Sequence, residues 1–203
     1  MNSMQKVHSW YLPDYDTHFE EWMTINNETE YQRLQREYAL KQVSNFRTAI
    51  DIGGNIGFWS RDFCKRFKDV IIFEPDASNI ECLEANLQGH RNYTLHKLGL
   101  GSTAETKTFY KSKVTSGGHS FFRDCIHDKE VDESTLQIKT LDEYNLKDID
   151  LIKIDTQGSE LDILIGGKQT LLNNDCVLNI EIEQNTELQS KQVSGSMSYA
   201  NTR

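Results

Sequence analysis

Two short runs hold the residue types that could do chemistry. The first is Ala49-Ile50-Asp51-Ile52-Gly53-Gly54-Asn55-Ile56-Gly57, followed by Glu74 at the end of the next apolar run, Val70-Ile71-Ile72-Phe73. A strand ending near an acid, a small-residue turn, a helix and a second acid closing the next strand form the plan of a nucleotide-cofactor pocket. Glycines let the backbone approach the ligand, and a carboxylate receives ribose hydroxyls. The second run is Leu151-Ile152-Lys153-Ile154-Asp155-Thr156-Gln157-Gly158-Ser159-Glu160. Side chains alternate along a strand, so Lys153 and Asp155 face the same way. Charges in an apolar strand are costly unless matched. These two therefore pair with each other and Glu160, or they meet a substrate.

The spelling of the first run selects the cofactor. A dinucleotide turn needs glycines in the pattern GxGxxG. Aligned on Gly54 and Gly57, the first of those positions is Ile52, and the pattern fails. What fits is acid-x-Gly-x-Asn-x-Gly, carried by Asp51, Gly53, Asn55 and Gly57. A nucleoside sulfonium has no phosphates. It needs close backbone approach, an acceptor for its ammonium near Asp51, and Glu74 for both ribose hydroxyls. The expected ligand is S-adenosylmethionine, with Leu98 and Gly99 beside the adenine. Methyl transfer to a hydroxyl is an in-line displacement that needs alignment and a proton acceptor. Asp155, Glu160 and His119 are the available bases, and Lys153 completes the candidate catalytic set. Plainer readings stand beside these. The turn could be an ordinary strand-to-helix turn capped by Asp51, and Leu98-Gly99 a simple strand end. Lys153 and Asp155 could be a satisfied structural pair, and His119 a surface-loop histidine. Glu181 and Glu183 share one face of strand five and either line the cleft or are strand-end acids, the second reading being favoured. No spacing of His, Asp and Glu selects a metal.

The elements that position these residues follow from periodicity. Thr48–Ile52, Val70–Phe73, Tyr93–Leu98, Leu151–Asp155 and Val177–Glu183 read as strands. Phe58–Phe67 reads as a helix with Trp59, Phe63 and Phe67 on one face. Ser78–Gln88 reads as a second, with Ser78 and Glu81 as a capping box and Gly89 as the stop. Ser159 and Asp162 are expected to cap a third. Residues 1–27 read as an irregular or partly helical aromatic arm, and 28–43 as a helix. Residues 101–140 break the rhythm, with strand-like pieces at Thr106–Tyr110 and Leu136–Thr140 around a loop holding Ser116-Gly117-Gly118-His119. Alternating strands and helices predict an α/β fold with a mostly parallel, Rossmann-like sheet covered on both faces. The expected organisation is an arm over 1–47, a cofactor domain over 48–183, and a polar, disordered tail over 184–203.

Bulk properties narrow the partners. The chain has 203 residues, 22 Lys+Arg and 31 Asp+Glu, a formal net charge of −9. That argues against a nucleic-acid backbone as partner. No stretch is apolar enough to span a membrane, and Met1–Val7 lacks a signal-peptide core, so a cytoplasmic location is expected. Cys64, Cys82, Cys125 and Cys176 form no CxxC pair and read as small hydrophobes.

These residues resemble a known family. Asp51–Gly57, Phe73-Glu74-Pro75, Thr140-Leu141-Asp142, Lys153-Ile154-Asp155 with Gly158 and Glu160, and Ile180-Glu181 are similar to the FkbM-type S-adenosylmethionine-dependent methyltransferases. The resemblance implies a class I methyltransferase sheet and O-methylation of a sugar or similar small hydroxylated acceptor. It implies cofactor roles for Asp51, Gly53, Gly57 and Glu74, and site roles for Asp155 and Glu160. Two departures stand out. Thr156 and Gln157 replace the family's valine or methionine and glutamate, and Gln157 cannot act as a base. The segment 184–203 also shows no apolar alternation to supply the two further strands such a sheet carries. Strand five would then be a bare edge open to homodimerisation. The alternatives are a truncated relic that binds cofactor or partner without turnover, and, further off, a nucleic-acid methyltransferase.

Overall fold

The strands with the most continuous apolar character lie at the middle of the sheet, as burial on both faces demands. In the computed structural model, which describes residues 3–26 and 31–181, every residue of β3 (Thr48–Ile52) and β9 (Ile149–Ile154) is buried. Beside them run β4 (Asp69–Phe73), β5 (Tyr93–His96) and β10 (Val177–Ile180). All neighbours are parallel, in the order β10-β9-β3-β4-β5. The direction of winding reverses between β3 and β9. Open α/β sheets hold their ligands in the crevice at such a point, outside the carboxyl ends of the strands.

Helices cover both faces, as predicted. Ala49, Val70, Ile72 and Leu151 pack under α3 (Phe58–Arg66) and α4 (Ala77–Asn86) through Phe63, Cys82, Leu83 and Leu87. Ile50, Ile52, Ile152 and Ile154 face the opposite way, toward Leu141 and Ile163 of α5 (Glu160–Gly166). A short α6 (Lys168–Asn173) leads into β10. Each fully buried aliphatic side chain contributes roughly 1.5–3 kcal/mol relative to exposure. The two layers therefore hold the strand ends in fixed register.

The N-terminal arm is more ordered than its sequence suggests. It forms a hairpin of β1 (Met4–Val7) and β2 (Trp10–Pro13), then α1 (Thr17–Asn26) and α2 (Arg33–Gln42). The two-residue connection His8-Ser9, with His8 at φ 53°, carries none of the usual Asn-Gly signal. Trp10, Leu12, Phe19 and Met23 enter the core of the first face. Asn86 clamps the hairpin: its Oδ1 accepts from the Tyr11 amide (2.7 Å), and its Nδ2 donates to the Tyr11 and Ile56 carbonyls. The expected helix over 28–43 starts at Arg33, and its first three residues lie outside the described ones.

The rhythm change after residue 98 is a separate sheet. β6 (Gly99–Leu100), β7 (Glu105–Ser112) and β8 (Val131–Lys139) pair in the order β6-β8-β7, with β7 and β8 antiparallel. Two expected caps are replaced. Asp76, not Ser78, caps α4 by accepting from the Ser78 and Asn79 amides. Ser159 occupies the cap position of α5 without a side-chain cap bond. Cys64 and Cys82 are buried, Cys125 and Cys176 half-buried, and all four are free thiols. Among the described residues no helix is long and apolar enough to cross a membrane. Residues 182 and 183 of the expected fifth strand, Glu183 included, and the tail over 184–203 lie outside the described residues.

Candidate functional site

Parallel register brings one residue from each strand end into a single row. Four successive amides tie it together: Glu181 N donates to Ile154 O, Asp155 N to Ile52 O, Gly53 N to Phe73 O, and Glu74 N to His96 O. Across the sheet the row reads Glu181, Asp155, Gly53, Glu74. Above it lies a cleft of roughly 890 Å3, part of it open to solvent. Of the candidate residues, Gly53, Asn55, Glu74, Leu98, Gly99, His119, Lys153 and Asp155 line it, together with Glu181. Asp51, Gly57 and Glu160 do not.

The glycine turn is built for close approach. Gly53 has φ +78°, and a Cβ there would stand 1.9 Å from the Asp155 carbonyl oxygen. Asn55 and Gly57 also adopt positive φ, and Gly57 opens α3. Glu74, 4% exposed, accepts from the Asn55 amide (2.8 Å) and the Asp76 amide (2.9 Å). Burial, acting first, pushes its carboxyl up to about 7 against those bonds, and the Asp76 charge adds to the rise.

Asp51 is placed differently from expectation. It is fully buried beneath the turn, where Oδ2 accepts from Ser60 Oγ (2.5 Å) and Oδ1 lies 3.1 Å from Lys153 Nζ. It offers the cleft no carboxylate for a ligand ammonium. Lys153 is equally engaged. Its ammonium donates to the Gly53 carbonyl (2.6 Å) and lies 4.0 Å from Asp155 Oδ2. Burial pulls Lys153 down, but the Asp51 charge and then Asp155 outweigh it, and the net shift is upward. Lys153 is thus a charged strut under the glycine turn. Glu160 is corrected as well. Its carboxylate turns back on its own loop, accepting from the Thr156 and Gly158 amides and from Thr156 Oγ1. It does for this turn what a cap does for a helix, and Glu160 does not line the cleft.

Residues distant in sequence close the cleft. The Ser116 carbonyl accepts from Asn55 Nδ2 (2.8 Å) and Asn79 Nδ2 (3.1 Å). The Ser116 amide donates to Asp16 Oδ2 (2.6 Å). The loop after β7 is thereby strapped to the glycine turn, to α4 and to the arm. Asn79 Oδ1 and Ser116 Oγ are buried without a partner. His119 is not a surface histidine. Its Nδ1 accepts from the Ser112 amide (3.0 Å), its Nε2 meets Tyr15 Oη (3.0 Å), and burial pulls it below its ordinary value. The neutral ring then carries its proton on Nε2. Gln32 enters from the arm. It accepts from Trp59 Nε1 (2.7 Å) and donates to Glu181 Oε2 (2.8 Å). Sequence reading assigned no site role to Tyr15, Gln32, Asn79 or Ser116, and for Glu181 favoured a strand-end acid over a residue lining the cleft. Among the described residues no group of three His, Cys, Asp or Glu is placed to hold a metal.

A parallel sheet with a glycine turn at its switch point and an acid ending the next strand defines a Rossmann-like domain of the class I methyltransferase type. Within that class the chain belongs to the FkbM methyltransferase domain family, whose profile it matches over residues 51–198. It is 27% identical over 141 residues to Methyltransferase 1 of Beauveria bassiana, covering 58% of this chain and 57% of that protein. Among solved structures it is similar to methyltransferase FkbM from Methylobacillus flagellatus, with TM-score 0.49 and 18% identity over 72% of this chain and 36% of that one. It is also similar to an rRNA methylase from Streptococcus thermophilus, with TM-score 0.48 and 10% identity, covering 83% and 81%. The chain thus spans little more than half the length of its fungal relative, and about a third of the first of these structures.

Proposed function

We propose that the chain is an S-adenosylmethionine-dependent O-methyltransferase acting on a sugar or similar small hydroxylated acceptor. The observation that carries this reading is the strand-end row, in which a glycine turn lies between the acid Glu74 on one side and the acid Asp155 on the other. The residues present fit the cofactor. The lining cation, Lys153, is already engaged by Asp51 and the turn, so the site suits a nucleoside without phosphates. The close approach at Gly53 leaves backbone, not side chain, facing the ligand. Glu74 would take the ribose hydroxyls, Leu98 and Gly99 would flank the adenine, and Asp155 would receive the ammonium end in place of the sequestered Asp51. When bound, S-adenosylmethionine supplies a methyl group on a sulfonium.

The chain's own residues do the rest. Asp155 stands past the turn on the far side from Glu74, which sets the reacting end of the cleft over β9 and β10. Phe19, Tyr31, Phe58 and Trp59 line that cleft and exclude water, and their faces suit the C–H side of a sugar ring. Calorimetry with S-adenosylhomocysteine tests the cofactor, with micromolar binding expected. Labelled S-adenosylmethionine incubated with a glycan and metabolite extract, followed by mass spectrometry, identifies the acceptor. Well-folded protein that binds no S-adenosylhomocysteine would sink the reading.

A further inference from the structure

The outermost position of the strand-end row carries chemistry not yet used. Glu181 extends β10 by one residue, and its amide bond to Ile154 O (2.9 Å) sets it beside Asp155. The Asp155 carboxylate acts directly on the Glu181 carboxyl and disfavours its ionisation. Each is also held from its other side. Gln32 Nε2 donates to Glu181 Oε2 (2.8 Å), and Gln32 Oε1 accepts from Trp59 Nε1 (2.7 Å). The Gln32 amide cannot flip without losing both bonds. Asp155 Oδ1 accepts from Gln157 Nε2 (3.0 Å), and its Oδ2 lies 4.0 Å from Lys153 Nζ. Both acids line the cleft, and Glu181 keeps an exposed side at its mouth.

Two carboxyls in contact cannot both ionise at little cost, and one of them retains a proton into the neutral range. Glu181 is the one so affected. Burial first, then the neighbouring Asp155 carboxylate, push it up to about 7, while Gln32 and Lys153 pull the other way. A group poised there is matched to proton transfer at neutral pH.

We propose that Glu181, paired with Asp155, is the proton acceptor for the hydroxyl that receives the methyl group, with Gln32 as the positioning residue that holds it. This rests on the O-methyl-transfer reading above. The step balances within the site. The acceptor oxygen forms its bond to the transferred carbon as the sulfur–carbon bond breaks. That bond's electron pair stays on sulfur, and the hydroxyl proton passes to the Glu181 carboxylate. Below the Glu181 midpoint its proton bridges to Asp155 and the acceptor position is blocked. Transfer therefore rises with pH through about 7. Two acids at the reacting end also favour neutral hydroxyls over phosphorylated acceptors.

Two measurements on the full chain test this. In the first, Glu and Asp carboxyl carbons are labelled and followed by NMR against pH, with no ligand added. Glu181 should titrate near pH 7. It should drop toward the ordinary carboxylate range in Asp155→Asn and move further up in Gln32→Ala. A Glu181 signal already in the ordinary range in the wild type, or unmoved by Asp155→Asn, overturns the pairing. In the second, label transfer from S-adenosylmethionine to the extract is followed against pH. Glu181→Gln, with its thermal melt intact, should lose roughly 10²–10⁴-fold, the usual contribution of a general base. The Gln32→Ala profile should shift upward with its NMR midpoint. Undiminished transfer by Glu181→Gln overturns the proposal, as does wild type that binds S-adenosylhomocysteine but transfers nothing at any pH. Wild type that binds no S-adenosylhomocysteine fails the cofactor reading instead, and the NMR titration still decides the pair.

Discussion

Lys153 shows how a single residue can belong to a site without meeting the substrate. Its ammonium neutralises Asp51 beneath the turn and holds the Gly53 carbonyl. Removing one partner of a buried pair strands the other charge, at a cost of about 3–5 kcal/mol. Lys153→Met should therefore unfold at markedly lower urea, and adding Asp51→Asn should restore much of the loss. Recovery absent from the double variant would show that packing, not charge, is at stake. Glu74 gives a pH signature. Its folded value lies above its unfolded one, near 7 against 4.5. Its contribution to stability is complete below pH 4.5 and is lost as pH rises through about 7. Thermal melts across that window should show Glu74→Gln gaining on the wild type as pH rises. The same variant should bind S-adenosylhomocysteine about 10–100-fold more weakly, because hydrogen bonds to a charged acceptor are worth about 1.5–3 kcal/mol. At this scale the sequence was legible where chemistry and spacing were local. Asp51, Gly53, Asn55 and Glu74 form one pattern, and Lys153 and Asp155 do share a face. The pairing of Lys153 with Asp51 was not legible, because it crosses between strands about a hundred residues apart.

Elements decide how firmly those residues are held. The glycine turn fits only because Gly53 presses its α-carbon against the Asp155 carbonyl, just past the end of the neighbouring strand. Gly53→Ala meets both a positive φ and backbone at 1.9 Å, so it should abolish S-adenosylhomocysteine binding in calorimetry while the separate sheet β6-β8-β7 stays folded. Asp16 is a second point of control. Its Oδ1 caps α1 through the Phe19 amide (2.9 Å), and its Oδ2 holds the Ser116 strap (2.6 Å). Asp16→Ala should cost about 1 kcal/mol from the cap alone. It should also weaken S-adenosylhomocysteine binding and raise amide exchange at residues 115–119. The sheet strands were readable because apolar runs and turn residues are contiguous. Helix starts were less so. A cap depends on which nearby acid reaches the free amides, and at both α4 and the loop before α5 an acid did so in place of a serine. The hairpin of the arm was hidden because Asn86, far along the chain, supplies what holds it.

The whole molecule carries a formal charge of −9, and the cleft is acidic at its β9–β10 end, where Asp155 and Glu181 lie. Duplex RNA or DNA should show no retention in filter binding at physiological salt, and a steep salt dependence of any retention seen would contradict this. The arm has a consequence for the order in which the protein is made. Tyr15 and Asp16 find their partners His119 and Ser116 only 104 and 100 residues later in the chain. At roughly 5–20 residues per second, the ribosome takes about 5–20 s to supply those partners after the arm is synthesised. Through that interval Trp10, Leu12, Phe19 and Met23 have no finished core to enter. The arm is thus among the last segments to settle. During synthesis it is the stretch most in need of a chaperone's cover.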